Sequence, residues 1–269
     1  MDNIIKINNL SFRYDNKFIY DNFNLSIKRG EFVTIAGSNG SGKTTLVKII
    51  AGLLKTSSDI KIFDLSLNKK NLFKIRKEVG FVFDVPENFF ACETVEDELA
   101  FSLENLAITP SVIKKKIKEV SKLLGIEDIL KCYPYELSGG QKQKVAIACA
   151  LMLEPRILVI DDSLMMIDIN ERKKILNILR DYNNKKKVTI LFFTNTLEDI
   201  LYSNRLIILN KGKIVLDGPY KEVFKEENIL RKLGLEVPFE VEFTKKLMLY
   251  NLISSIELDI NKVVDELWK

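Results

Sequence analysis

Apolar and polar positions alternate over residues 4–14, and again over Phe23-Asn24-Leu25-Ser26-Ile27, as half-buried strands do. Lys28-Arg29-Gly30-Glu31 turns between the second run and Phe32-Val33-Thr34-Ile35-Ala36, which is apolar almost throughout. The chain therefore opens with antiparallel β-structure before a parallel core begins. Val79-Gly80-Phe81-Val82-Phe83, Ile157-Leu158-Val159-Ile160 and Thr189-Ile190-Leu191-Phe192-Phe193-Thr194 read as further buried strands. Residues 205–210 and 213–216 flank Lys211-Gly212, a hairpin signal.

Between these strands the period changes. Leu46-Val47-Lys48-Ile49-Ile50-Ala51 is helical and stops at Gly52. Thr94 caps a helix start at Val95-Glu96-Asp97, and the helical pattern runs to Gly125 with a break at Thr109-Pro110-Ser111. Val112, Ile113, Ile117, Val120, Leu123 and Leu124 recur there at helical spacing. Another helix is predicted over 144–153. Past Asp217-Gly218-Pro219 the chain is helical over 220–235, is interrupted at Pro238, and resumes as one or two amphipathic helices over 243–269. We expect one α/β domain at 1–218, a helical subdomain inserted at about 87–150, and a small helical appendage at 219–269. The apolar stripe of the appendage, Leu247, Leu249, Leu252, Ile253, Val263, Val264, Leu267 and Trp268, suits local packing or a dimer contact.

Composition narrows this picture. At 46% hydrophobic residues the chain can fill a core, and a net charge of +4 over 269 residues is too mild to argue for nucleic acid. Lys114-Lys115-Lys116 and Lys185-Lys186-Lys187 read as solvated faces. Cys92, Cys132 and Cys149 make neither a metal spacing nor an even disulfide set, which suits a reducing cytosol. No apolar run reaches the ~18 residues that cross a bilayer, and no signal peptide is expected, so any membrane association comes through a partner. There is no histidine, which excludes every mechanism needing an imidazole from this chain.

The chemistry starts at Gly37-Ser38-Asn39-Gly40-Ser41-Gly42-Lys43-Thr44-Thr45, a match to the phosphate-loop pattern G-x-x-x-x-G-K-[ST] between a strand and a helix. Glycines let the backbone wind tightly and aim N–H groups at an anion, and the helix that begins near Lys43 adds its positive end. Lys43 should reach the β/γ-phosphates of ATP, and the Thr44 hydroxyl should ligate Mg²⁺. Ser138-Gly139-Gly140-Gln141 sits before the predicted 144–153 helix and forms a second anion-binding helix start. The strand 157–160 delivers Asp161 at its carboxyl end, where an α/β sheet places its chemistry; Asp161 would hold Mg²⁺, usually through water. Tyr14, at the end of the first strand, suits stacking on an adenine or packing equally well.

Phosphate loop, helical block, Leu137-Ser138-Gly139-Gly140-Gln141 and then Asp161 on a strand, in that order, resembles the ATP-binding-cassette (ABC) ATPases over about residues 1–218. Pro86-Glu87-Asn88-Phe89-Phe90, residues 94–101, Leu103-Glu104-Asn105-Leu106 and Gly234-Leu235-Glu236-Val237-Pro238-Phe239 are similar to the ATPase subunits of energy-coupling-factor (ECF) transporters. The resemblance implies a P-loop core with an antiparallel β-subdomain. It also implies two ATPases paired head to tail, each nucleotide lying between one chain's phosphate loop and the other's Ser-Gly-Gly-Gln. The pair would drive a membrane scaffold and an exchangeable substrate-capturing subunit that imports vitamins or metal ions, from the cytoplasmic face of the membrane. The segment from Asp84 to about Phe90 would help form the scaffold-contacting surface.

Three positions depart from the family's pattern. Asp84 stands where a glutamine is usual, Asp162 where a catalytic glutamate is usual, and Asn195 where a histidine usually contacts the γ-phosphate. In Ser163-Leu164-Met165-Met166-Ile167-Asp168 only Asp168 keeps the family's usual residue. Asp162 is one methylene short, Asn195 never carries a charge, and Asp84 when ionised only accepts. All three act on the γ-phosphate or the attacking water, so ATP binding is expected to survive while hydrolysis at this chain's own phosphate loop is impaired. A transport-coupled subunit, a nucleotide-binding structural subunit without hydrolysis, and a soluble non-transport cassette protein all stay open at this point.

Overall fold

A computed structural model of the chain describes residues 2–85, 88, 90–162, 164 and 167–268. Pro86, Glu87 and Phe89 of the ECF-like stretch, and Ser163, Met165 and Met166, lie outside the described residues.

Strands β1 (Asn3–Tyr14) and β2 (Lys17–Lys28) form a long hairpin, turning at Asp15-Asn16 with Asp15 at φ 47°. The alternation at residues 23–27 is therefore only the inner half of β2. A parallel core strand, β3 (Phe32–Ala36), leads through the glycine loop into α1 (Lys43–Ile50). Next come β4 (Asp59–Ile62), β5 (Leu65–Ser66), α2 (Leu72–Arg76) and β6 (Val79–Val82). The helical block is α3 (Val95–Glu104), α4 (Pro110–Leu124) and α5 (Gly139–Met152). Helix α5 begins at Gly139, five residues earlier than the apolar spacing suggested. The cause is a reciprocal cap, in which Ser138 accepts from the Gln141 N–H while the Gln141 side chain accepts from the Ser138 N–H.

Strand β7 (Ile157–Asp161) is followed by α6 (Ile169–Lys186), a helix that sequence analysis missed. Its surface is so rich in Lys, Arg and Asn that only a thin stripe of Ile175, Leu176 and Leu179 is apolar and buried. The core closes with β8 (Thr189–Thr194), β9 (Arg205–Asn210) and β10 (Lys213–Gly218). The tail is α7 (Tyr220–Val223), α8 (Glu227–Lys232), α9 (Phe239–Leu249) and α10 (Ile260–Leu267). Pro238 does not merely interrupt the tail: it is the N-cap of α9, where its missing N–H costs nothing.

Two sheets result, an antiparallel one in the order β2-β1-β4-β5 and a six-stranded one in the order β10-β9-β3-β8-β7-β6. In the second, β3 pairs in parallel with β8 and β9, and β7 with β6 and β8, while β10 alone runs antiparallel to β9. The central strands are buried on both faces, which explains their unbroken apolar runs. Val33, Ile35, Val159, Leu191 and Phe193 pack with Leu46, Val47 and Ile49 of α1 and with the antiparallel sheet. Phe32, Leu158, Ile160, Ile190 and Phe192 point the other way, against the helical block and α6. The tail adds a third core, in which Phe224, Leu230 and Val241 pack on Ala36, Leu206 and Ile208 of β3 and β9. The parallel order brings the carboxyl ends of β3, β6, β7 and β8 together, and the candidate site lies there.

Candidate functional site

The glycine loop is held in shape from three directions. The Gly37 N–H donates to the Thr194 carbonyl at 3.2 Å, tying the loop to the end of β8. The Gly212 N–H, in the β9–β10 turn, donates to the Ser41 carbonyl at 2.9 Å. The Tyr20 hydroxyl, on fully buried Tyr20 of β2, donates to the Gly42 carbonyl at 2.9 Å. Two glycines are obligatory for separate reasons. A Cβ on Gly37 would come to 2.3 Å from the Leu209 carbonyl, and Gly42 has φ +115°, beyond what an L-residue adopts easily. Gly37 is buried, Ser38 is half-buried, and Asn39 and Gly40 are exposed at the tip of the loop.

Lys43 is 5% exposed and donates to the Gly37 carbonyl at 2.7 Å, closing the loop onto its own start. Its ammonium also lies 3.6 Å from a carboxylate oxygen of Asp162. Thr44 and Thr45 follow, half-buried in the first turn of α1. Asp161, at the end of β7, is fully buried. Burial pushes its carboxyl up to about 6, opposed by the Thr44 hydroxyl beside it, raised further by the charges of Asp162 and Asp84, and opposed again by Lys43. Asp162 takes a left-handed backbone, φ 43°. Its carboxyl is likewise raised by burial, with Lys43 and the Asn195 backbone N–H pulling the other way. The charge of Asp84, in the loop after β6, pushes both carboxyls upward, and its own side chain accepts from the Val85 N–H at 3.0 Å.

One cluster thus gathers Lys43, Thr44, Asp161, Asp162, Asp84 and Asn195 around the glycine loop. Its most informative feature is unmet valence. Both carboxylate oxygens of Asp161, Oδ1 of Asp162, Oδ1 of Asn195 and the Ser41 hydroxyl are buried without a well-formed hydrogen bond. Buried acceptors with no donor demand an explanation, and a hydrated divalent cation supplies one. Among the described residues no group of three or more acidic, histidine or cysteine side chains could cage a metal alone. A cation here would complete its shell with phosphate oxygens and water, as Mg²⁺ does in nucleotide sites. The donor set of Thr44 and Asp161 fits Mg²⁺ in that way.

Two groups of predicted residues stand apart from this cluster. Ser138 and Gly139 are exposed at the N-terminal end of α5, Gly140 and Gln141 are half-buried, and the cap bonds of Ser138 and Gln141 stay within that turn. Such an end is free to meet another molecule. Tyr14 is exposed at the hairpin tip, with its ring edge-on to Phe12 at 5.0 Å.

Sequence analysis overlooked two residues of the site. Tyr20 carried no signal, since it falls between the two predicted strand runs and belongs to no motif. Gln143 is 1% exposed in α5 and donates from Nε2 to the Asp84 carbonyl at 3.0 Å. A polar side chain two positions past Gln141, on a face that the helix buries, was the available hint. The tail also comes near: an open cleft beside the loop is lined by Ser38, Asn39, Asn195, Glu198 and Glu236.

Comparison with known proteins agrees with this geometry. A family model described as "ABC transporter" matches residues 20–165. The energy-coupling factor transporter ATP-binding protein EcfA1 of Clostridioides difficile is 37% identical over 99% of this chain and 99% of its own length. EcfA1 of Ligilactobacillus salivarius is 38% identical over 91% of this chain and 88% of its own length. Among solved structures, cbiO1 from Clostridium perfringens, part of the ABC transporter complex cbiONQ, superposes with a TM-score of 0.76 at 30% identity, covering 87% of this chain and 95% of that one. The cassette MJ0796, in a dimeric post-hydrolysis state bound to ADP and Pi, gives a TM-score of 0.74 at 29% identity, covering 80% of this chain and 98% of that one. With its phosphate loop, its Ser-Gly-Gly-Gln helix start and full-length relatives of this kind, the chain belongs to the ABC transporter ATPases, in the family of energy-coupling factor transporter ATP-binding proteins.

Proposed function

We propose that this chain is the ATP-holding, weakly hydrolysing member of a pair of ATPases in an ECF-type importer. The observation that carries this reading is the position of Asp162, whose carboxylate is drawn back onto Lys43 at 3.6 Å. In this family the residue after the Mg²⁺ aspartate acts on the attacking water. Here that side chain is one methylene short, and its carboxylate engages the phosphate-loop lysine and the Asn195 N–H. A displacement of roughly an ångström from the water costs about 10²-fold in rate. Asn195 can orient a phosphate oxygen through its amide but adds no positive charge to the transition state, where electrostatic stabilisation dominates phosphoryl transfer.

The binding side of the site is complete. Lys43 and the loop N–H groups would cradle the β- and γ-phosphates, and Thr44 and Asp161 would hold Mg²⁺. Mg²⁺, when bound, neutralises phosphate charge and orients the γ-phosphate. The exposed Ser138 end of α5 would cover the nucleotide of the second ATPase. That partner, a heterodimer mate with glutamate and histidine where this chain has Asp162 and Asn195, would do most of the hydrolysis. The tail helices, with Leu249 and Trp268 more than four-fifths exposed, would add a contact between the two ATPases. A transmembrane scaffold and a substrate-capturing membrane subunit would complete the importer, whose cargo is a vitamin or a metal ion. The ATPase would sit peripherally on the cytoplasmic face, held there by those membrane subunits; no helix among the described residues is long and apolar enough to cross a membrane.

Affinity purification of the tagged chain from solubilised membranes tests this assembly. The reading predicts one second cassette ATPase with glutamate and histidine at the altered positions, together with integral membrane subunits. Recovery from the soluble fraction with ribosomes or nucleic acid would overturn it.

A further inference from the structure

At the amino ends of β3, β7 and β8, the edge of the sheet opposite the phosphate loop, four cations from three separate loops converge on one cavity of about 320 Å³. Arg29 comes from the turn before β3, Arg156 immediately precedes β7, and Lys186 and Lys187 stand at the end of α6 before β8. Arg29, Lys186 and Lys187 are exposed at the rim and make no ion pair among the described residues. Arg156 is half-buried, with its guanidinium over the Phe63 ring at 4.5 Å and only a loose contact to Glu78 at 3.7 Å. Glu154, the one acid in the lining, is engaged by Lys116 of α4 at 3.4 Å. Buried Ile4, Pro155 and Val188 supply apolar surface beneath the cations.

The three loops are tied to one another. Asn183 of α6, 4% exposed, donates from Nδ2 to the Gly30 carbonyl at 3.0 Å and to the Val188 carbonyl at 2.6 Å. The Gly30 N–H donates to the Thr189 hydroxyl at 2.9 Å, and the Thr189 N–H to the Arg156 carbonyl at 2.9 Å. The backbones that carry the cations therefore keep a fixed spacing. Gathering unpaired like charge is unfavourable through self-repulsion, and a concave surface of one sign focuses its field on an anion. Lysines at a helix end do complement the carbonyl dipole of that helix. That role accounts for Lys186 and Lys187 but leaves Arg29 and Arg156, on other loops, unexplained. Arginine forks match phosphate oxygens, and lysines add point charge beside them. One phosphate group carries about −1.5 to −2 at neutral pH, so two phosphoryl groups balance four cations better than one does. The cavity volume lies at the small end of the range for small-molecule sites. We propose that this cavity binds the diphosphate group of a small metabolite, at a site separate from the nucleotide site at the carboxyl ends of the same strands.

Calorimetric titration of inorganic pyrophosphate into the full chain carrying Lys43→Ala, which disables the phosphate loop, tests this at about 0.15 M salt, where diffuse surface attraction is screened. One site per chain is expected, at least about tenfold tighter for pyrophosphate than for inorganic phosphate. Adding Arg29→Gln, Lys186→Gln and Lys187→Gln, all at exposed positions, should weaken it at least about 10²-fold, since each charge-assisted bond is worth about tenfold. Lys69→Gln, Lys70→Gln and Lys74→Gln, the same change of charge at exposed positions elsewhere, should leave it in place. With Lys43 intact, the pocket triple variant should bind ATP as tightly as wild type. Pyrophosphate should also slow hydrogen exchange at residues 185–189 of the wild-type chain, a footprint that decides the matter should Lys43→Ala not fold. No binding to a folded Lys43→Ala chain, an equal loss in the two triple variants, phosphate bound as tightly as pyrophosphate, a parallel fall in ATP affinity, or a wild-type footprint that leaves 185–189 unchanged would each overturn the site.

Discussion

The Lys43 ammonium bridges the Gly37 carbonyl at 2.7 Å and the Asp162 carboxylate at 3.6 Å. A phosphate loop normally spends its lysine on phosphate oxygens. Here the same charge also lies beside the carboxylate that, on the proposed reading, would attend the water, and Asp162 has a left-handed backbone, φ 43°.

Lengthening that side chain should restore chemistry. Asp162→Glu is expected to raise single-turnover hydrolysis by the chain at its own loop by about 10²-fold, the cost of an ångström's misplacement. Adding Asn195→His should raise it further, while ATP affinity changes little. Rapid-quench measurement of the first turnover checks this, and a glutamate variant no faster than wild type would place the defect elsewhere.

Much of this was legible before any coordinates. The parallel core strands declare themselves because both faces are buried and both sets of side chains are apolar. The glycine loop is legible because its chemistry admits few residue types. Helix α6 was hidden because its N-cap Asp168 and its buried positions Arg172 and Asn183 are polar. Strand β5, two residues long, offers no periodicity at all. Within the site, Lys43, Thr44 and Asp161 follow from the phosphate-loop pattern and the strand end, and Asp162 and Asn195 from the family resemblance, whereas the Tyr20–Gly42 and Gln143–Asp84 bonds join segments that only the fold brings together.

Asp161 should set a pH signature on the nucleotide-free chain. Its carboxyl moves from 3.8 to about 6 on folding, so the folded state holds the proton more tightly than the unfolded one. The associated stability is therefore present below about pH 4 and is lost as pH rises toward 6, by an amount on the order of 3 kcal/mol. Asp161→Asn removes this term. The variant should be more stable than wild type above pH 6, and the difference should close toward pH 4. Asp199, also raised to about 6 by burial, acts alike in both proteins and cancels. Urea unfolding from pH 4 to 8 measures the gap, and Mg²⁺-dependent ATP stabilisation should be lost in the variant.

Ser138 separates a local role from an intermolecular one. Ser138→Ala removes the cap to the Gln141 N–H and should cost about 1 kcal/mol of stability. ATP affinity of the isolated chain should stay at the wild-type value. Turnover by the assembled pair should fall at least tenfold, because in the proposed pairing the lost donor would face the partner's nucleotide. An equal loss in the isolated chain's own affinity would contradict this division.

The Tyr20–Gly42 contact predicts a partial rescue. Gly42→Ala would set a Cβ 2.7 Å from the Tyr20 hydroxyl, at a φ of +115°. That variant should lose ATP binding and unfold at lower denaturant. Tyr20→Phe alone should cost about 1 kcal/mol. Combining the two should recover only part of the loss, since the hydroxyl clash is relieved and the backbone strain stays; calorimetric binding of ATP to all three variants decides it.

The most direct measurement takes the purified wild-type chain alone, mixes it with a slight excess of radiolabelled Mg-ATP, and follows bound nucleotide and released phosphate together. Retention of about one uncleaved ATP per chain, with phosphate release at least two decades slower than in the Asp162→Glu variant, is the predicted result. Rapid phosphate release leaving ADP in the cleft of the unmodified chain would contradict the account.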